Sequence, residues 1–457
     1  MKDYSVSPTD SHALELLLSD PLKRNEAVFR FIKMIDTIDS NCSIALDGNW
    51  GSGKTIFIKQ VKLLMDFMNP QSNLDNDVRK RIETSSFREF ACYDSYSTVY
   101  YDAWANDNHD NPILSLIYAT IRSNQSTLDT EKKRSLLNTL GAIADAISGR
   151  SISDVLKQAK GTSLLEELKS FDDLHELVQD FIDSLIHEKG NRLVVFVDEL
   201  DRCKPDYAIR LLECVKHYFD DERLIFVFSI SLFQLQHTIK CYYGYNFDAT
   251  RYLDKFFDLR ISIPSINYDH LFKYKFPFIE SGYCYDETCI RVIEYFSFSL
   301  REVERYMRLI RIAAYQEAHS RESEAFSEQK GIQFAISHII PIVIGLSMAD
   351  MTVYCDVLSG QNDKPIMDIL SNMVPYLRMD LLTSQGEIRG LSEQETTELV
   401  KKRISEVYKA LFDTNIFKDT AKIRIGSMSF TNQSRSKVMQ VMSLLSTYSE
   451  YDFADDT

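Results

Sequence analysis

Residues 48 to 55 read Gly48-Asn49-Trp50-Gly51-Ser52-Gly53-Lys54-Thr55, an instance of G-x-x-x-x-G-K-[ST]. A glycine-rich turn of this kind lets backbone N–H groups converge on a polyphosphate, with the positive end of a helix behind them. Lys54 would reach the β- and γ-phosphates, and the Thr55 hydroxyl would ligate Mg²⁺. The flanks agree with that setting. The apolar run Ser43-Ile44-Ala45-Leu46-Asp47 precedes the turn as a strand, and Ile56-Phe57-Ile58 follows it as a helix.

A second constellation closes the run Leu193-Val194-Val195-Phe196-Val197-Asp198-Glu199-Leu200-Asp201-Arg202. Continuous apolar residues mark a strand buried on both faces of a parallel sheet, and ligands sit at the C-terminal ends of such strands. Asp198 is suited to hold Mg²⁺ through water, and Glu199 to polarise an attacking water. The plainer alternative is an acidic pair that caps a strand and starts a turn. Neither G-x-S-x-G nor H-E-x-x-H occurs, so a nucleophile elbow and a zinc helix find no support. On residues 299 to 311, Leu300, Val303, Met307 and Ile310 form an apolar stripe, while Arg301, Arg305 and Arg308 align on another face. Aimed at a nucleotide, Arg301 would act as a γ-phosphate sensor; otherwise the row is a solvated basic face beside Glu302 and Glu304.

The elements that must position these residues are legible in outline. Residues 21 to 38 form an amphipathic helix entered through Pro21, with Val28, Phe31, Ile35 and Ile38 on one side. A helix runs from the phosphate loop to about Met68, and Thr98 to Trp104 reads as a second strand. Residues 106 to 190 are helical in pattern, with a break near Ser148-Gly149-Arg150-Ser151, and too long for a simple crossover. Pro205 to Asp220 is a helix, Leu224 to Ser231 a doubly buried strand, and Arg260 to Pro264 a short last one. Five strands with helical crossovers compose a doubly wound α/β domain. Beyond about Tyr268 the strands stop and helices dominate. The expected organisation is a core of residues 1–105 and 191–267, a helical insertion at 106–190, a helical lid at 268–330 and a helical C-terminal domain at 331–457.

Composition excludes several classes. With 457 residues, 44% hydrophobic and 12% aromatic, the chain is long and apolar enough for two or three cored domains. Its 52 basic against 67 acidic side chains give a net charge of -15, which repels nucleic acid. Eight cysteines without a C-x-x-C pair fit reduced, buried thiols in a cytoplasmic protein; Cys284 and Cys289 lack partners at metal-ligand spacing. The opening Met-Lys-Asp-Tyr-Ser has no hydrophobic signal core. The stretch Ile336 to Met348 carries Ser337, His338 and Pro341 and falls short of the roughly 20 residues a membrane span needs, so a buried helix is expected.

Taken in order, Gly48-Asn49-Trp50-Gly51-Ser52-Gly53-Lys54-Thr55, Tyr101-Asp102-Ala103-Trp104, Asp198-Glu199-Leu200-Asp201-Arg202-Cys203-Lys204-Pro205, Tyr252-Leu253-Asp254-Lys255-Phe256-Phe257 and Leu300-Arg301-Glu302-Val303-Glu304-Arg305 resemble the KAP family of P-loop NTPases over roughly residues 20 to 315. The resemblance implies an ATPase core of the additional-strand type, with one strand between the phosphate-loop strand and the acidic strand. It implies ATP and Mg²⁺ as ligands, held by Gly48 through Thr55 and by Asp198, with Glu199 activating water. Lys255 falls where related folds sometimes place a basic finger, or is a plain surface lysine in a helix.

Two departures from the family pattern stand out. Many members carry transmembrane helices between the two motifs, whereas this insertion is amphipathic; and the polar sensor after the Val227 strand, often Asp, is here Ser231, whose weaker hold points to slow turnover. The resemblance further implies a switch in bacterial antiviral defence, partnered by effector proteins of the same operon, with a homo-oligomer allowed. An ATP-gated scaffold with little turnover is the alternative from another class, and a nucleic-acid-stimulated ATPase the lesser one.

Overall fold

The computed structural model describes residues 8–85, 87, 96–109, 111–124, 176, 178–183, 186, 192–268, 270–271, 285–319, 326–382, 391–413, 415–418 and 420–443. They fall into two compact units, Ser7–Ile266 and Asn267–Thr457.

The first unit is built on a five-stranded parallel sheet. Its elements are helices α1 (Asp10–Ser19) and α2 (Asn25–Asp36), strand β1 (Cys42–Asp47), α3 (Lys54–Met68), α4 (Asn76–Glu83), β2 (Tyr96–Asp102), α5 (Pro112–Asn124), β3 (Arg192–Asp198), α6 (Pro205–Tyr218), β4 (Leu224–Ile230), α7 (Leu232–Tyr243), α8 (Ala249–Leu253) and β5 (Leu259–Ser262). The strand order is β2-β3-β4-β1-β5. β4 therefore lies between the phosphate-loop strand β1 and the acidic strand β3, which is the additional-strand arrangement.

Alternate residues on each strand feed two cores. Val99, Val195, Val197, Phe226 and Phe228 pack with α5, α6 and α7 on one face. Ile44, Leu46, Val194, Phe196, Ile225 and Val227 pack with α1, α2 and α3 on the other. Because both faces are covered, β3 and β4 are apolar without alternation, and every residue of each is buried. Full burial of each large side chain contributes about 1.5–3 kcal/mol, so the sheet is a rigid base for the loops at its C-terminal edge. Ile113, Leu116 and Ile117 near one end of the 106–190 stretch, and Val178, Phe181 and Ile182 near the other, pack in this sheet core. The break at 148–151 lies outside the described residues.

Three boundaries differ from the sequence expectation. The helix expected over residues 21–38 begins at Asn25, because Asp20 turns the chain at φ 44° and its carboxylate accepts the N–H groups of Arg24 (2.9 Å) and Asn25 (3.3 Å). Strand β2 ends at Asp102, and Trp104 opens a single 3-10 turn instead of continuing the strand. The Asp102 carboxylate accepts the Ala105 N–H at 2.9 Å and so bends the chain there. Lys255 stands exposed in a turn after α8, where a helix was expected.

The second unit contains helices α9 (Tyr285–Tyr295), α10 (Leu300–His319), α11 (Phe326–Phe334), α12 (Ile340–Ala349), α13 (Met351–Leu358), α14 (Lys364–Ser371), α15 (Val374–Leu381), α16 (Glu393–Phe412) and α17 (Asn432–Ser443). Contrary to an all-helical expectation, Ile423–Ile425 (β6) and Met428–Phe430 (β7) form an antiparallel hairpin. Three-residue strands are too short to display a period of two, and Gly426, at φ 58°, makes their turn. A Cβ at Gly331 on α11 would stand 2.6 Å from the Ser429 carbonyl, so glycine lets that helix lie against β7.

The apolar stretch is longer than its sequence implied. Lys330–Ala349 is a 20-residue helix that is long and apolar enough to cross a membrane, but 72% of its apolar window is buried inside the protein. Residues Ala335–Ile339 take a π turn, where Pro341 cannot supply the N–H that a regular α-helix requires.

Candidate functional site

The phosphate loop joins β1 to α3 at the C-terminal edge of the sheet. Its shape depends on glycine: Gly51 and Gly53 sit at φ 76° and 86°, in the left-handed region. A Cβ at Gly48 would come within 2.5 Å of the Ile263 side chain and 2.8 Å of Ser52 Oγ. Arg24, itself buried, ties the loop from behind by donating from Nη1 to the Ser52 carbonyl at 2.8 Å and from Nη2 to the Pro264 carbonyl.

Lys54 folds back over the loop. Its Nζ donates to the carbonyls of Gly48 at 2.5 Å and Asn49 at 3.1 Å. Burial pulls its pKa down, opposed by Asp201, Asp198 and Asp47. The Ser52 hydroxyl is buried in the same loop with no protein partner, a polar atom that a phosphate oxygen would satisfy.

Across the sheet edge, Asp198 ends β3. Burial raises its pKa, and the neighbouring Ser229, Thr55 and Tyr100 hydroxyls pull the other way. Tyr100 OH donates to Asp198 Oδ2 at 3.0 Å, and the Glu199 N–H donates to Oδ1 at 3.1 Å. The predicted metal pair, Thr55 and Asp198, is thus brought together, the Thr55 hydroxyl close enough to lower the Asp198 pKa. Among the described residues no cluster of three or more His, Cys, Asp or Glu forms a metal cage. A hydroxyl and a carboxylate suit Mg²⁺, which keeps several waters and takes oxygen ligands from phosphates.

Glu199 follows in left-handed conformation, φ 59°. Burial pushes its carboxyl up to about 7, with Arg202 opposing and Asp198, Asp102 and Asp201 adding to the rise. Its Oε2 accepts from Arg202 Nη1 at 2.7 Å. Asp201, also buried, accepts from Trp50 Nε1 at 2.6 Å and from the Ser231 N–H at 3.1 Å, so one carboxylate binds the phosphate loop to the exit of β4.

With this geometry, residues 24–316 match the KAP family P-loop domain. The chain belongs to that family. No curated protein matches it. Among solved structures, the Aeropyrum pernix ORC2 protein in ADPNP–ADP complexes is similar at 11% identity over 85% of this chain and 95% of that one, with a TM-score of 0.33. PCH-2 of C. elegans is similar at 10% identity over 88% of this chain and 70% of that one, with a TM-score of 0.21. At those scores neither adds to the assignment.

In this KAP chain the loop from Gly48 to Thr55, Asp198 and Glu199 all lie at one edge of one sheet. Ser231 is placed there too, but its hydroxyl caps α7 by accepting the Gln234 N–H at 3.4 Å, a local structural use. Arg301 lies on α10 in the second unit; it is exposed with Arg305 and Arg308, opposite the buried Leu300, Val303, Met307 and Ile310. Glu302 is engaged as a cap, its carboxylate accepting the Ser299 N–H at 2.8 Å. Tyr100, Ser229, Asp201, Arg202 and Arg24 were not foreseen as parts of the KAP site. Asp201 and Arg202 stand within the acidic motif, which is the signal that pointed to them; Tyr100 and Ser229 reach Asp198 only through strand pairing, Asp198 lying opposite Ser229 and Asp102.

Proposed function

We propose that this KAP chain binds ATP with Mg²⁺ at the phosphate loop and hydrolyses it slowly, as a conformational switch. The observation that carries this reading is the convergence of Lys54, Thr55, Asp198 and Glu199 at one edge of the first unit's sheet. Lys54 binds phosphate once its Nζ leaves the loop carbonyls, and the backbone N–H groups after Gly51 orient the chain of phosphates. Thr55 and Asp198 are the residues that would hold Mg²⁺, which when bound supplies positive charge against the phosphate oxygens. Glu199, with a carboxyl near 7, has a base strength suited to taking a proton from water at neutral pH.

Slow turnover is favoured because Arg202 already occupies the Glu199 carboxylate. The same ion pair supports the second reading, an ATP-gated scaffold that docks effector proteins and turns over little. The setting in bacterial anti-phage defence, with partners from the same operon, follows the family resemblance, and the cytoplasmic setting follows the reduced-thiol reading of the cysteines. Phosphate release by wild type and Glu199→Gln, read beside calorimetric binding, separates the two readings. A switch gives retained binding with kcat lower by about 10²-fold in the variant. Matching near-zero rates identify the scaffold.

A further inference from the structure

Both tryptophans of the chain stand against one guanidinium. Trp50 is the third residue of the phosphate loop and Trp104 the second residue past β2. The Arg202 Cζ lies 5.7 Å from the centroid of one ring system and 5.4 Å from that of the other. The same Arg202 donates to Glu199 at 2.7 Å. One cation is therefore shared between the phosphate loop, the end of β2 and the carboxylate that would activate water.

The contacts are of a kind that can shift. The two indoles are 47% and 51% exposed, and cation–π pairs and ion pairs are individually weak at such half-wetted sites. An open cleft of about 410 Å³, lined by Trp50, Trp104, Arg202, His237 and Thr238 among others, gives the guanidinium room to swing. Trp50 is also fastened by its Nε1 to Asp201, one residue before Arg202. A change in the loop backbone is thereby felt directly at the Arg202 turn.

We propose that Arg202 is a positioning residue for Glu199: clasped between Trp50 and Trp104, it keeps that carboxylate in a resting pair, and movement of Trp50 with the phosphate loop on nucleotide binding opens the pair. The inference rests on the loop being a nucleotide site and concerns how that site is regulated. A merely structural Arg202 would brace the turn after β3, and its loss would lower stability and turnover together. A restraining Arg202 gives the opposite sign in kcat.

The test uses the full chain and its own tryptophans. A non-hydrolysable ATP analogue with Mg²⁺ changes tryptophan emission in wild type, and the change persists in Trp104→Phe, where Trp50 is the sole tryptophan. In Arg202→Gln the emission change is smaller, and kcat with Mg–ATP rises about fivefold, the population shift expected from losing a partly exposed ion pair, at unchanged KM. Arg202→Lys, which keeps the charge but not the planar stack, gives an intermediate kcat and serves if the glutamine variant does not fold. The proposal is overturned if variants that bind the analogue calorimetrically show kcat at or below wild type, or if emission ignores bound analogue in wild type. No calorimetric binding to wild type would sink the nucleotide reading itself, and so is distinguishable from failure of the clasp.

Discussion

Lys54 occupies the centre of its own loop, with its ammonium turned onto the Gly48 and Asn49 carbonyls and three carboxylates, Asp201, Asp198 and Asp47, holding its charge against burial. A phosphate chain would replace those carbonyls with charged acceptors, and charge-assisted bonds are the stronger kind. Lys54→Ala is therefore expected to weaken Mg–ATP binding by about 10²-fold or more. Calorimetric titration checks it; affinity near that of wild type would remove Lys54 from the site. Lys54, Thr55, Asp198 and Glu199 were legible in the sequence because each stands in a contiguous motif whose backbone shape follows from glycine placement or from an apolar strand. Asp201 and Arg202 carried the same signal but no readable role, since what they do depends on Trp50, Trp104 and the β4 exit, which the sequence leaves more than twenty residues away. The hydroxyl of Ser231 shows the reverse case: a polar residue in the right place whose local helix claims it as a cap.

Among elements, those with long apolar runs were legible and those defined by single contacts were not. Strands β1, β3 and β4 follow from burial on both faces, whereas the late start of α2 follows from one carboxylate, Asp20, and the β6–β7 hairpin from one glycine turn. The Lys330–Ala349 helix combines both sorts. Its length and composition would allow a membrane span, yet it carries His338 in its π turn, buried, with Nδ1 in a 2.7 Å hydrogen bond with Thr288 Oγ1. Burial pushes the His338 pKa down to about 4, below its ordinary 6.5. The unfolded chain then binds a proton between those two values that the folded chain refuses. Stability is thus full above about 6.5 and falls as pH drops toward 4, by about 3 kcal/mol from this group. Chemical denaturation of wild type and His338→Gln at pH 7 and pH 5 isolates the term, because other acids, such as Asp380, cancel in the difference. A pH slope identical in the two proteins would mean that His338 does not titrate on unfolding.

At the scale of the molecule, a net charge of -15 sets the long-range field into which any partner must come. Screening over about 10 Å at ordinary salt confines the effect of any single charge, but a polyanion carries its charge along its length and meets the whole field. Among the described residues, three cations of the candidate site are already engaged: Lys54 by the loop carbonyls, Arg24 by Ser52 and Pro264, and Arg202 by Glu199 and two indoles. A phosphodiester backbone needs several unspent lysines or arginines to release counterions, and it gains affinity in proportion to how many it meets. Duplex DNA or single-stranded RNA added at about 0.15 M salt is therefore expected to leave phosphate release within about twofold of its basal rate. The measurement is a phosphate-release assay repeated across a salt series. Stimulation well beyond that range, fading steeply as salt rises, would mean that a basic stripe overrides the overall charge, and the nucleic-acid-stimulated reading would displace the protein-directed switch.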